Sequence, residues 1–335
     1  MATLKDVSEA AGVSMQAVSL VLNGKAEGQI SKMNCEKILA AAEKLDFRLN
    51  HNARRMRNKC TENLSVLIDD IGQPYGDYPD FRSDVNMESL YGILDCAAQY
   101  GYDIKLLPMN TRNLEDLSLL DKRIGPPYSD GVIFHGLYYR KNVFELIKKR
   151  KMPYVLLSTL DERQPSPKTE IDPVPAMRAA VARLIEQGHR KIAWCSHRDP
   201  RTSFLPLRFR GYEEEMKAAG LYDEELIMIA EDELAVRRLA ADRVVRDRFT
   251  AVVCMNDEMA YRWILECRYN GVRVPEDIAV IGFDGSYKYN FISTIDLRFY
   301  ECGYRAAEEL IKSIQGGRTP KNITIKSKFQ ERKTN

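Results

Sequence analysis

The chain has 335 residues, 44% hydrophobic and 29% charged, with a formal net charge of +2. That length supplies two or three domains with cores of their own, and the balance excludes a mostly disordered chain, a collagen-like repeat and a pure coiled coil. No run of about 18 uncharged apolar residues is present, which excludes a membrane-spanning helix. The opening Met1-Ala2-Thr3-Leu4-Lys5-Asp6 has no apolar signal core, so the expected location is the cytoplasm. The seven cysteines (Cys35, Cys60, Cys96, Cys195, Cys254, Cys267 and Cys302) are scattered without a C-x-x-C pair. They predict neither a disulfide framework nor a zinc site.

Charge is unevenly distributed. Residues 1–60 hold ten basic and six acidic side chains, a net +4, which leaves 40 basic and 42 acidic residues, or −2, for the remainder. A basic head on a mildly acidic body points to a polyanionic partner for the head, the alternative being a solvated basic surface.

In chain order, Thr3 with Asp6 three residues on predicts a helix start, and Leu4, Val7, Ala10 and Ala11 give it an apolar stripe. Gly12 supplies a tight turn, since glycine tolerates positive φ. Ser14 caps a second helix that buries Ala17, Val18, Val21 and Leu22, and Asn23-Gly24 ends it. A third helix spans about 31–45, with Ile38, Leu39, Ala42 and Leu45 inward. Two short helices at a tight turn braced by a third make a helix-turn-helix, whose second helix enters a major groove. Met15, Gln16, Ser19 and Leu20 then point away from the core. Gln16 suits a bidentate contact to adenine, while Met15 and Leu20 suit thymine methyl groups. The alternative is a three-helix packing module without nucleic acid.

From residue 62 onward, apolar β-rich runs alternate with amphipathic helices. The strand-like runs are 64–68, 104–107, 132–134, 154–157, 192–195, 227–229, 251–254 and 278–281; helical patterns include 87–100, 177–187, 208–219 and 259–269. The alternation predicts parallel sheets covered by helices, and eight strands predict two lobes with a cleft between them. Ligands bind at the carboxyl ends of strands in such sheets, where Asp284, Asn256 with Asp257, His135 and Ser158 stand. Each has a structural alternative: Asn256 or Asp257 as a helix cap, Asp284 as a turn residue, His135 as an interior histidine. Residues 69–86, with Tyr75 among aromatics and acids, form a long connection suited to stacking on sugar rings or equally to a surface excursion.

The order Thr3-Leu4-Lys5-Asp6-Val7-Ser8-Glu9-Ala10-Ala11-Gly12-Val13-Ser14, then Ala17-Val18-Ser19-Leu20-Val21-Leu22-Asn23-Gly24, then Ile38-Leu39-Ala40-Ala41-Ala42-Glu43-Lys44-Leu45 resembles the lactose-repressor/galactose-repressor family. The body resembles the family's effector domain through Gly188-His189-Arg190-Lys191-Ile192-Ala193, Asn256-Asp257-Glu258-Met259-Ala260 and Val274-Pro275-Glu276-Asp277-Ile278-Ala279-Val280-Ile281-Gly282-Phe283-Asp284. The resemblance implies a multi-domain chain: an all-α helix-turn-helix head at 1–49, a hinge helix at 50–61, and a periplasmic-binding-protein-like α/β domain at 62–335. Its two parallel-sheet lobes are expected at about 62–159 with 297–323, and 160–296 with 324–335. Thr3, Ser14 and Asn23 join the implied DNA contacts. So do Asn50, Ala53, Arg54, Met56 and Arg57 of the hinge, where Met56 stands in place of the family's usual leucine as a minor-groove wedge. Arg208, in Arg208-Phe209-Arg210-Gly211-Tyr212, looks like the family's effector-binding arginine; a salt bridge to Glu213 or Glu214 is its alternative.

The expected function is therefore a repressor that binds a pseudo-palindromic operator as a homodimer and answers to a small ligand, a sugar or sugar derivative, in the cleft. The chain stops at Asn335 without a leucine heptad tail, which favours a dimer over a tetramer. Alternatives are a regulator governed by a partner protein and a plain solute-binding protein. No enzyme, cofactor or metal is expected: G-x-x-x-x-G-K-[ST], G-x-G-x-x-G, G-x-S-x-G and H-E-x-x-H are absent, and there are only four histidines.

Overall fold

The computed structural model describes residues 2–24, 26–47, 60–69, 84–109, 116–135, 141–157, 167–197, 205–230 and 249–335. Asn50, Ala53, Arg54, Met56, Arg57, Tyr75 and Ser158 lie outside the described residues. The chain divides into two compact units, Met1–Thr61 and Glu62–Asn335.

Among the described residues the first unit has three helices: α1 (Leu4–Ala11), α2 (Met15–Leu22) and α3 (Lys32–Lys44). Thr3 and Asp6 cap α1 reciprocally. Asp6 N–H donates to Thr3 Oγ1 at 3.3 Å, and Thr3 N–H donates to the Asp6 carboxylate at 2.8 Å, which satisfies two otherwise orphaned donors. Gly12 closes the helix at φ 65°, a conformation that costs an L side chain about 1–2 kcal/mol. Ser14 Oγ then accepts from Ala17 N–H at 3.2 Å and starts α2. Val7, Val18, Ile38, Ala41 and Ala42, one stripe from each helix, form the core.

The second unit holds two six-stranded sheets. The first has the order β11 (Ile323–Lys326), β5 (Lys168–Asp172), β4 (Tyr154–Leu157), β3 (Gly131–His135), β1 (Asn63–Asp69), β2 (Asp103–Met109), all neighbours parallel. The second runs β12 (Lys328–Gln330), β10 (Ser293–Asp296), β9 (Ala279–Asp284), β8 (Ala251–Cys254), β6 (Ile192–His197), β7 (Ile227–Ala230), parallel except for the antiparallel edge strand β12. Central strands β3 and β8 are buried at every position, as strands covered on both faces must be, and so read as unbroken apolar runs.

Helices α4 (Asp84–Gln99), α5 (Leu117–Asp121), α6 (Lys141–Lys149) and α10 (Phe299–Gln315) belong to the first lobe; α7 (Val174–Glu186), α8 (Leu205–Ala218) and α9 (Asp257–Tyr269) belong to the second. Three crossings join the lobes: β5 to α7, β10 to α10 and β11 to β12. Each leaves the carboxyl end of a strand in one sheet and arrives at the carboxyl edge of the other. The two carboxyl edges therefore confront one another across the crossings.

The lobe boundaries differ from expectation. Strand β5 pairs with β4, and β11 pairs with β5, so the first lobe continues through Asp172 and resumes until Lys326, instead of stopping at 159 and 323. The cause is physical: Lys168–Asp172 holds one apolar residue, Ile171, and Ile323–Lys326 holds two, too few to announce a buried strand. Only pairing distinguishes such short segments from loop.

Candidate functional site

On α2, Met15 is 55% exposed and Gln16 is exposed, while Ser19 and Leu20 are half-buried. Gln16, two positions before Val18, therefore points to the opposite face, while Met15 stands exposed at the first helical position. Asn23, taken as a DNA contact, has a local duty: its Nδ2 donates to Ser19 O at 2.6 Å and to Ser19 Oγ at 3.3 Å, which closes α2. Thr3 and Ser14 are caps whose exposed hydroxyls stand at helix starts, where the amide dipoles favour a phosphate.

In the second unit, two predicted effector residues meet. Arg208, 5% exposed, sits at the first turn of α8, above the carboxyl edge of the second sheet. Its Nη2 donates to Asp284 Oδ1 at 2.7 Å and its Nη1 to Met255 O. Its guanidinium carbon lies 4.1 Å from the centre of the Phe283 ring, a cation–π contact. Tyr212, one turn on, anchors the helix by donating to Ile192 O at 2.7 Å. Gly211 lets α8 approach α7, since a Cβ there would stand 2.7 Å from that of Met177. The alternative partners of Arg208 are engaged elsewhere: Glu214 holds Arg210 and Glu213 holds Lys217, both i,i+4 pairs on the solvent side.

Asp284 adopts φ 110°, a strained value for a residue with a side chain. Its carboxylate reaches back over the sheet edge to Arg208, and burial raises its pKa against the pull of that guanidinium. Behind it lies a second buried carboxyl, Asp257, which accepts from Ser286 N–H at 2.7 Å and Thr294 Oγ1 at 2.6 Å. Gly282 makes room for it, since a Cβ there would fall 2.2 Å from Asp257 Oδ1. Burial first, then the Asp284 carboxylate, push Asp257 up to about 8.

That displacement carries a prediction. The folded state keeps the Asp257 proton over a pH range in which the unfolded chain has lost it, so its stabilisation is complete below about pH 4 and is lost as pH rises through about 8. The stability gap between wild type and Asp257→Asn should change by on the order of 3–5 kcal/mol across that window, as read by urea unfolding at several pH values. A gap that is flat with pH would place the proton elsewhere.

Asn256 is the N-cap of α9, its Oδ1 accepting from Met259 N–H at 2.7 Å, so the helix-cap reading holds for it. His135 ends β3 at 1% exposure with Nε2 2.6 Å from Ser89 Oγ, an interior histidine bonded to α4. It does not join Arg208 and Asp284, which stand in the other lobe. Sequence reasoning missed Phe283, Met255 O and Thr294; the Phe-Asp pair at the end of β9 was the available signal for the first.

Comparison with known proteins agrees with this architecture. The family model described as bacterial regulatory proteins, lacI family, matches residues 3–50, and the periplasmic binding protein-like domain matches residues 181–334. The chain is 29% identical to the HTH-type transcriptional regulator RegA of Clostridium saccharobutylicum, over 93% of this chain and 92% of that one. It is 29% identical to catabolite control protein A of Priestia megaterium, over 85% and 82%. Among solved structures, the transcriptional regulator CelR in complex with cellobiose aligns over 100% of both chains with TM-score 0.67 and 25% identity. The lac repressor dimer bound to operator and the anti-inducer ONPF aligns over 99% of this chain and 98% of that one, with TM-score 0.76 and 20% identity.

Proposed function

Because the chain belongs to the lacI family of bacterial regulatory proteins, and is thus a DNA-binding transcriptional regulator, we propose that it represses from a near-palindromic operator as a homodimer. A sugar or sugar derivative held between the carboxyl edges of its two sheets then sets its DNA affinity. In this reading Gln16, Met15, Ser19 and Leu20 read base edges while Thr3 and Ser14 meet phosphates. Asn50, Ala53, Arg54, Met56 and Arg57 act at the hinge.

The observation that carries the effector half is the Arg208–Asp284 pair. A buried guanidinium beside a partly buried carboxylate, both at a strand-end edge, offers a donor and an acceptor within one hydroxyl spacing. A polyol presents both complements, whereas an apolar ligand would leave both charges desolvated. Confronted edges joined by three short crossings give ligand binding a route to the angle between the lobes, and differential affinity for two such angles is what regulation requires. The cellobiose-bound relative supports a carbohydrate as the ligand class.

The test pairs two measurements. Genomic fragments should be retained by wild type at fixed salt, and Gln16→Ala should lose about 1–3 kcal/mol of preference for the retained fragment while keeping the thermal shift given by the effector. A panel of mono- and disaccharides should raise the melting temperature of wild type. If no sugar does so, and DNA release responds to none, the carbohydrate reading fails.

A further inference from the structure

Among the described residues outside the head, a run of basic side chains lies on the first lobe. Helix α6 ends in Lys148 and Lys149 and is followed by Arg150 and Lys151, four exposed basic residues in a row. Because α6 links parallel β3 to β4, its carboxyl end must return to the edge where the strands begin. The α5–β3 connection brings exposed Lys122 and Arg123 to that same edge. The two segments are fastened by Arg150 Nε, which donates to Asp121 at 2.6 Å.

Acids are also present there, and two of them, Asp121 and Asp130, have their carboxylates engaged. Asp121 holds Arg150, and Asp130 accepts from Glu62 N–H at 2.8 Å. Glu62 and Asp103 meet through their backbones at 2.8 Å, and Glu145 lies one turn back on α6. Among the described residues, Lys122, Arg123, Lys149 and Lys151 have no carboxylate within ion-pair distance. Lys151 also occupies φ 52°. It closes α6 with Lys151 N–H on Lys148 O at 2.9 Å and Met152 N–H on Ile147 O at 3.2 Å, at the position where glycine is the favoured residue. A positive charge is thus kept against backbone preference.

This is also the edge at which the chain arrives from the DNA-binding unit, through Thr61 and Glu62 into β1. Residues 48–61 are at most about 50 Å of extended chain, so any duplex gripped by the head is tethered to this edge. Tethering raises the effective concentration of a weak second contact into the millimolar range, about 1 mM or more.

We propose that Lys122, Arg123, Lys149 and Lys151, at the strand-beginning edge of the first lobe, form a second, sequence-independent contact with the phosphates of duplex flanking the operator. The inference rests on the DNA-binding reading above and adds a surface to it. Solvated cations spread along an edge match a line of phosphates better than one bound anion.

The test uses the full chain and a retained genomic fragment, once with long flanks and once trimmed to the protected site. The variant carries Lys122→Gln, Arg123→Gln, Lys149→Gln and Lys151→Gly. On the long duplex its plot of log affinity against log salt should be shallower by about 2–4, close to 0.9 for each phosphate no longer neutralised, with affinity on the trimmed duplex unchanged. Lys151→Gly alone should raise the melting temperature, because it relieves the backbone, yet weaken long-duplex binding; opposite signs separate removal of a phosphate partner from damage to the fold. Equal affinity and slope for variant and wild type on the long duplex would overturn the proposal, as would equal losses on both duplexes. So would an unchanged salt slope together with lost binding to polyglutamate, which would assign the edge to an acidic protein. A wild type that prefers no genomic fragment would overturn the DNA-binding reading itself, an outcome distinct from a wild type that binds and a variant that binds alike.

Discussion

Replacing Arg208 with alanine is expected to lower the unfolding free energy by about 3–5 kcal/mol at neutral pH and to abolish the thermal shift given by the effector. The magnitude follows from what is left behind. Asp284 loses the guanidinium 2.7 Å away, Met255 O loses its donor, and the ring of Phe283 loses the cation above it. A carboxylate stranded beside the buried Asp257 carboxyl has few ways to recover except by taking up a proton, since burial already favours its neutral form. The deficit should therefore shrink as pH falls. Adding Asp284→Asn should restore part of the stability, because the double variant no longer buries an unpaired charge, but should restore none of the ligand response. Urea unfolding of the four members of that double-mutant cycle gives the coupling directly. A single-variant loss below about 1 kcal/mol would mean that the pair behaves as a surface salt bridge and that the site is wet.

The second large effect lies far from the ligand edge. Gly303 on α10 faces Ser89 on α4, and a Cβ there would stand 1.9 Å from Ser89 O. On the other side of the same crossing, a Cβ at Gly92 would stand 2.0 Å from Tyr300 O. Both obstacles are backbone, so neither can turn away as a side chain would. Alanine gains helix propensity over glycine by about 1 kcal/mol, but separating two packed helices forfeits close packing along the crossing, a cost of about 3 kcal/mol or more. The second effect wins. It also pulls on Tyr300 Oη, which donates to Asp95 at 2.7 Å, and on Tyr304 Oη, which donates to Gln99 at 2.7 Å, and it displaces Ser89 from His135. Gly303→Ala should thus melt well below wild type in calorimetry; a melting temperature at or above wild type would remove the glycine contact from the account of lobe stability.

Some of this was legible from residue types alone because the causes are local. Caps at Thr3 and Ser14, the left-handed turn at Gly12 and the apolar stripe within each helix, such as Leu4, Val7 and Ala11 on α1, are each set by residues close in sequence, and their spacing specifies helices before any packing is considered. Continuous apolar runs such as Ala251–Cys254 likewise declare strands buried on both faces, and their alternation with helices announces parallel sheets. Asp284 could be placed at a strand end by the same logic.

Other features are decided only when distant segments meet. The strand Lys168–Asp172 joins the first sheet because Leu156 and Leu157 pair with it and Ile323–Lys326 then pairs with its far side; nothing in five mostly polar residues encodes that choice. Arg208 pairs with Asp284, 76 residues away, and not with its helical neighbours Glu213 and Glu214, because the start of α8 lies over the ends of β8 and β9. Gly303 is indispensable only because α4 passes within van der Waals contact of it. Sequence by itself determined the head helices and eight of the twelve strands seen among the described residues, since hydrogen-bonding period and capping act over three or four residues, and the resemblance of its motifs gave the class of protein. Tertiary structure decided the lobe boundaries, the partners of the buried charges and the role of each close-packed glycine, since those energies exist only between surfaces that folding brings together.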